Sequence, residues 1–143
     1  MAQRKENQEL KKKPINPTEM RKLAIKLMDH FNSKSIDYWD GMIILVDNEM
    51  WMANKSNKYE CEEMTTKRGT KYYVVKNIDI AAQNEYSNPE TITLLFDGSH
   101  LYHRVNYAPG GIDYTSQLDE KFLKPYGLYF ELGYAWSMAA YQM

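Results

Sequence analysis

A single cysteine, Cys61, stands among the 143 residues, and one thiol cannot close an intrachain disulfide. No apolar signal segment opens the chain, and together these predict a reducing, cytoplasmic setting. Long hydrophobic runs are missing too. The longest, such as Met42–Val46, fall far short of the roughly 20 residues that cross a bilayer, so no membrane role is expected. Glycine (7) and proline (5) are too few for a collagenous or low-complexity chain. Neither sign of charge dominates: Lys+Arg 18 against Asp+Glu 19 gives no global field toward nucleic acid or an anionic surface. The P-loop, the GxGxxG fingerprint and the GxSxG elbow are all absent, which removes the usual phosphate cradles and the serine-hydrolase turn.

What is present begins with a polarity hidden in the balanced total. Residues 1–13 carry five bases and two acids, net +3, and the rest of the chain is net −4. The division expected is a disordered basic tail over 1–13 and a single α+β domain over 14–143. A solvated tail is the plain reading, and a nucleic-acid-binding arm the sharper one. Twelve tyrosines are the compositional oddity. Each joins a large apolar ring to a polar tip, which suits half-buried strand faces, ligand walls and interfaces.

Asn16-Pro17-Thr18-Glu19 is a helix start: an N-cap, a proline at the first helical position and the acid of a capping box. Met20, Leu23, Ala24, Leu27, Met28 and Phe31 follow at spacings of three and four, which predicts one apolar stripe laid across a sheet and a stop near Asn32–Ser33. His30, near that stop, is read as favourable to the helix dipole. Strands are expected at Met42–Val46 and Glu49–Ala53 about a two-residue Asp47-Asn48 turn. Two more are expected at Lys58–Thr66 and Thr70–Ile80 about Lys67-Arg68-Gly69, then a loop over Ala81–Pro89 and a strand at Thr91–Phe96. After Asp97-Gly98 both a tight hairpin and a short helix are open. Ser99 as cap and Gly110 as stop favour the helix, with Leu101, Tyr102 and Val105 inward. Ser116–Lys124 predicts another short helix, ended by Pro125.

In Gly127–Tyr141, Leu128, Phe130, Leu132, Tyr134, Trp136 and Met138 fall on every second residue. That alternation predicts one long core strand, bent at Gly133, with a face of small residues for a helix or a second copy to cover. The sum is an α+β fold: a mostly antiparallel sheet of five to six strands with the N-terminal helix and one or two short helices on it.

Chemistry finds few footholds. His100 and His103 share a helical spacing and Asp97 is near, but the pair lacks an evident third ligand, so no metal site is assigned and a small metal-dependent hydrolase is only an alternative. Cys61 sits among Glu60, Glu62 and Glu63, which disfavour a thiolate. Asp37/Asp40 and Asp113/Asp119 are pairs that turns and caps explain as well as acid–base work. No catalytic residue and no cofactor is assigned. The one ligand-binding candidate is the glycine-bearing loop after Tyr107, whose backbone N–H groups could form an anion nest. Arg104, Tyr102, Tyr107, His100, Gly110, Gly111 and Tyr114 surround it in sequence, a mix suited to a small anionic, nucleotide-like ligand: guanidinium for phosphate, phenol for base. Trp39, Trp51, Trp136 and the methionines add a possible contact patch, Trp136 being the better core filler and Trp51 the less certain one.

At IDYWDG, LLFDGSHLYHRVNY and YGLYFELGYAWSMAAY, over about residues 36–141, the chain resembles small proteins encoded by bacteriophages and related mobile elements of low-GC Gram-positive bacteria. The resemblance implies a host-interaction or anti-defence factor that acts by binding rather than by turnover, and it supplies no site residue. The expected function is a cytoplasmic, homo-oligomeric binding module that sequesters a protein partner or a small anionic ligand. A nucleic-acid-binding accessory protein using the basic tail is the alternative.

Overall fold

A computed structural model of the chain describes residues 15–33, 36–107 and 111–143. The basic tail expected over 1–13 and the ligand candidate Gly110 lie outside them.

The first helix, α1 (Pro17–Phe31), forms as its sequence dictates. The Asn16 side chain accepts from the Glu19 N–H at 2.8 Å, and the Asn16 N–H donates to the Glu19 carboxylate at 3.3 Å. Met20, Leu23, Ala24, Leu27, Met28 and Phe31 are its buried face. The hairpin β1 (Ile43–Val46) and β2 (Glu49–Met52) closes through Asp47 and Asn48, both at positive φ (49° and 58°). Two successive left-handed residues match a tight turn to the strand twist, and Asp and Asn tolerate that region better than most side chains.

The hairpin β3 (Glu62–Thr65) and β4 (Lys71–Val75) is shorter than the sequence suggests. Lys58–Cys61 leaves the ladder, and α2 (Ile80–Gln83) begins at the last residue of the expected strand and runs into the stretch expected to be loop. Asp29 at the end of α1 accepts from Thr66 Oγ1 at 2.7 Å and Thr70 Oγ1 at 2.6 Å, fastening the helix to this hairpin's turn. Trp39 Nε1 donates to the Lys71 carbonyl at 3.0 Å, where β2 has already ended. β5 (Ile92–Leu95) then crosses the middle of the sheet.

The strands of the described residues form one antiparallel sheet in the order β3-β4-β2-β1-β5-β7-β6, seven rather than the five to six expected. The extra strand comes from the carboxy-terminal stretch. It is a hairpin, β6 (Leu128–Leu132) and β7 (Ser137–Gln142), not one bent strand. The chain does bend at Gly133, but to reverse into the turn, and a Cβ there would lie 2.3 Å from the Cβ of Tyr86, so its missing side chain admits a ring. The small residues Ala139 and Ala140 are buried within the sheet rather than offered as a free face.

On one face Ile44, Trp51, Val74, Leu94, Met138 and Phe130 meet α1 and the later helices in the main core. On the other, Leu45, Met50, Met52 and Val75 pack against Ile80 of α2, with half-buried Cys61 at the margin. Trp51 is fully buried, its Nε1 donating to Glu49 with Arg21 above its ring, whereas Trp136 is half-buried in the β6–β7 turn. The assignment of Trp136 to the core is thereby corrected, as is the doubt over Trp51. Proximity to a turn did not expose Trp51, because the sheet continues on both sides of β2.

Candidate functional site

The stretch left open between hairpin and helix is helical, α3 (Leu101–Asn106). Ser99 Oγ accepts from the Leu101 N–H at 3.1 Å and donates to the Tyr38 carbonyl, so it starts the helix and ties it to the loop after α1. The next helix, α4 (Gly111–Leu118), starts five residues earlier than expected. It runs on through a π turn (Asp119–Leu123) and a 3₁₀ turn (Lys124–Tyr126) that ends at Gly127, φ 71°. Tertiary packing overrides the weak local propensity here: Tyr114, Leu118 and Leu123 are buried in the main core.

The ligand candidates divide into two groups. Arg104 and Tyr114 come together, the guanidinium 4.7 Å from the ring centroid, a separation at which a cation is attracted to the π face. Tyr114 is buried, stands edge-on to Tyr38 at 5.9 Å and meets His30 Nε2 at 3.3 Å through its hydroxyl. Burial pushes its phenol far up, the neighbouring Tyr38 adds to that, and Arg104 opposes it, so Tyr114 stays neutral. Tyr102 and Tyr107 form the second group, rings 5.8 Å apart and hydroxyls 3.5 Å apart, with His103 5.6 Å from Tyr107. The Tyr102 phenol is raised by that hydroxyl contact. His100 is exposed, and its carbonyl accepts the Arg104 N–H at 3.2 Å. Gly111 opens α4.

Among the described residues, no three His, Cys, Asp or Glu side chains are grouped so as to hold a metal ion, so His100 and His103 have no third ligand there. One carboxylate of each pair has a structural task. Asp40 accepts from Asn54, and Asp119 accepts the Phe130 N–H at 2.9 Å.

The sequence did not reveal what lies next to Tyr107. Asn106 Nδ2 donates to the Ala135 carbonyl at 2.6 Å, joining the end of α3 to the β6–β7 turn. In that turn Tyr134 and Trp136 stack at 4.7 Å with 13° between planes, and Tyr86 stands edge-on to Tyr134 at 4.9 Å. The Tyr134 hydroxyl donates to Glu85 at 2.8 Å, a bond that raises its phenol. Tyr107 is 66% exposed, Leu132 49% and Tyr86 44%. Two open hollows, about 530 Å³ beside β3 and about 510 Å³ on α4, are lined by none of these aromatic residues.

The rings of this turn contact one another, and the Tyr134 hydroxyl is held by the Glu85 carboxylate. No family model, curated protein or solved structure matches the chain.

Proposed function

We propose that the chain is a cytoplasmic binding module that holds a protein partner, without turnover, on the aromatic surface joining α3 to the β6–β7 turn. One observation carries the reading: Tyr86, Tyr134 and Trp136 pack ring against ring at the β6–β7 turn, and the Asn106–Ala135 hydrogen bond ties that turn to the end of α3, beside the exposed Tyr107. Rigid Tyr and Trp rings dominate the energetics of protein interfaces, because they bring large apolar area at little entropic cost. Here Tyr86, Tyr134 and Trp136 are packed on one another without a partner. A host-interaction factor of the kind the sequence resembles would act in this way.

The test is stoichiometric co-purification of a partner with the full chain, repeated with Tyr107→Ala and Trp136→Ala. Each truncation is expected to weaken binding at least about thirtyfold, the loss of a centrally placed interface aromatic. Equal retention by all three proteins removes the surface from consideration. Thermal shifts against a nucleotide panel decide the small-ligand version. A ligand at a hundredfold its dissociation constant stabilises by about 2.7 kcal/mol, and a shift of that size lost in Arg104→Ala would move the site to the Arg104–Tyr114 cluster.

A further inference from the structure

The two edges of the sheet differ. On β6, the outward N–H of Phe130 is taken by Asp119. On β3, the other edge, no strand among the described residues lies outside, and all four residues are exposed. Thr66 N–H donates to the Thr70 carbonyl at 2.9 Å, and the register pairs Met64 with Tyr72 and Glu62 with Val74. In an antiparallel ladder residues alternate between bonding the partner strand and pointing away from it. Thr66, Met64 and Glu62 therefore bond β4, and the N–H and C=O groups of Glu63 and Thr65 point outward.

Charge along this edge is polarised. Glu60, Glu62 and Glu63 crowd its start, tempered by Lys58 and by Lys76, which reaches Glu62 at 3.7 Å. Lys67, Arg68 and Lys71 flank its end. Between them Met64, 39% exposed, is the one large apolar side chain on the strand. Charged edges commonly prevent pairing, but charge separated in this way prevents only some registers. A parallel copy would set acid against acid. An antiparallel copy sets the acidic half against the basic half.

We infer that β3 pairs with β3 of a second copy, antiparallel about a two-fold axis at Met64, to give a continuous fourteen-stranded sheet. Glu63 and Thr65 then exchange backbone bonds with the copy's Thr65 and Glu63, and the two Met64 side chains meet at a non-hydrogen-bonded pair, where side chains approach most closely. Moving the axis to Glu63 would oppose that carboxylate to its own copy, which like charge disfavours. So short a contact buries less than the about 1,200 Å² of firm interfaces, so dissociation in the micromolar range is expected. The aromatic surface, on the far strands, remains free in both copies, and the pairing does not depend on what binds there.

Analytical ultracentrifugation of the full chain from about 1 to 300 μM (a span set by that expected range) is expected to show mass rising from one chain to two, and Met64→Lys should weaken association at least tenfold. Register is read in a Cys61→Ser background with a mild oxidant. Met64→Cys should link copies covalently, and Glu62→Cys, more exposed but off the axis, should not. Circular dichroism shows that each variant folds. A one-chain mass at every concentration overturns the inference. So does a dimer that ignores Met64→Lys, or cross-linking through residue 62 as readily as through 64.

Discussion

His30 Nε2 and the Tyr114 hydroxyl lie 3.3 Å apart, joining the last turn of α1 to α4. Phe31 and Phe122 flank the imidazole at 5.6 and 5.0 Å. Burial lowers its pKa below the ordinary 6.5, and the charge of Lys121 lowers it further. His30 does sit in the last turn of α1, as read from the sequence, but burial and Lys121 act against its charged form.

The sign of the pH dependence follows. Where the folded pKa is depressed, the unfolded chain takes up the proton first as pH falls, and stability is lost in step. The contribution of His30 is complete above about pH 6.5 and declines below it until the folded state also protonates. Urea midpoints at intervals from about pH 5 to 8 should fall on the acid side for the wild type. His30→Gln, which keeps a polar partner for Tyr114 but cannot titrate, should flatten that fall. Identical slopes in the two proteins would remove His30 from the account.

Gly41 and Gly69 both have positive φ, 79° and 97°, but their surroundings differ. A Cβ on Gly41 would lie 2.1 Å from the carbonyl oxygen of Gly98, whereas one on Gly69 would meet nothing within 4 Å. Gly69→Ala should cost only the left-handed backbone penalty, about 1–2 kcal/mol. Gly41→Ala adds a backbone collision that nothing can absorb without separating the loop before β1 from the turn after β5, and about 3 kcal/mol or more is expected. Chemical denaturation of both variants checks the order. Equal losses would mean that the Gly41–Gly98 approach is not what holds these segments together.

These glycines also mark how far the sequence could be read. α1 was legible because its signals are local: cap, proline, capping box and stripe lie within sixteen residues. Asp47-Asn48 was legible for the same reason. The last hairpin was not, and the cause is parity. Leu132 pairs with Met138, six residues on, across the turn formed by residues 133–136, so the two share a face. An even-numbered interruption leaves a period-two pattern unbroken. Only contact with Tyr86, far back in the chain, distinguishes Gly133 from a strand glycine. The aromatic surface was invisible for a related reason. Tyr86, Tyr134 and Tyr107 come from three separate loops and helix ends, and no spacing in one sequence joins them. Arg104 with Tyr114, ten apart on successive helices, was within reach.

Asp29 tests how the main layers are joined. Its carboxylate accepts from two threonine hydroxyls, Thr66 and Thr70, at the β3–β4 turn. A hydrogen bond to a charged acceptor contributes about 1.5–3 kcal/mol, and two that share one acceptor are not additive. Asp29→Ala should cost about 2–3 kcal/mol. In a cycle with Thr66→Val and Thr70→Val, the threonine changes should cost markedly less once Asp29 is gone. Full additivity would show that the hydroxyls act independently of the carboxylate.

Asp119 does for the β6 edge what no described residue does for β3. Its carboxylate takes the Phe130 N–H, and burial raises its pKa, partly opposed by that bond and aided by Glu120. Burial disfavours the charged form relative to water, while the Phe130 bond favours it. Substitution separates the acceptor atom from the charge. Asp119→Asn keeps an acceptor oxygen in place and should leave stability within about 0.5 kcal/mol of the wild type. Asp119→Ala strands the N–H of an edge strand beside half-open backbone, and a loss of about 1–3 kcal/mol is expected. It should also bring a second, disordered route of association, since an uncovered edge invites pairing. Light scattering on heating separates the two: Asp119→Ala should aggregate at lower temperature than wild type, and Asp119→Asn should not. If both behave alike, the charge, rather than the acceptor, is what protects that edge.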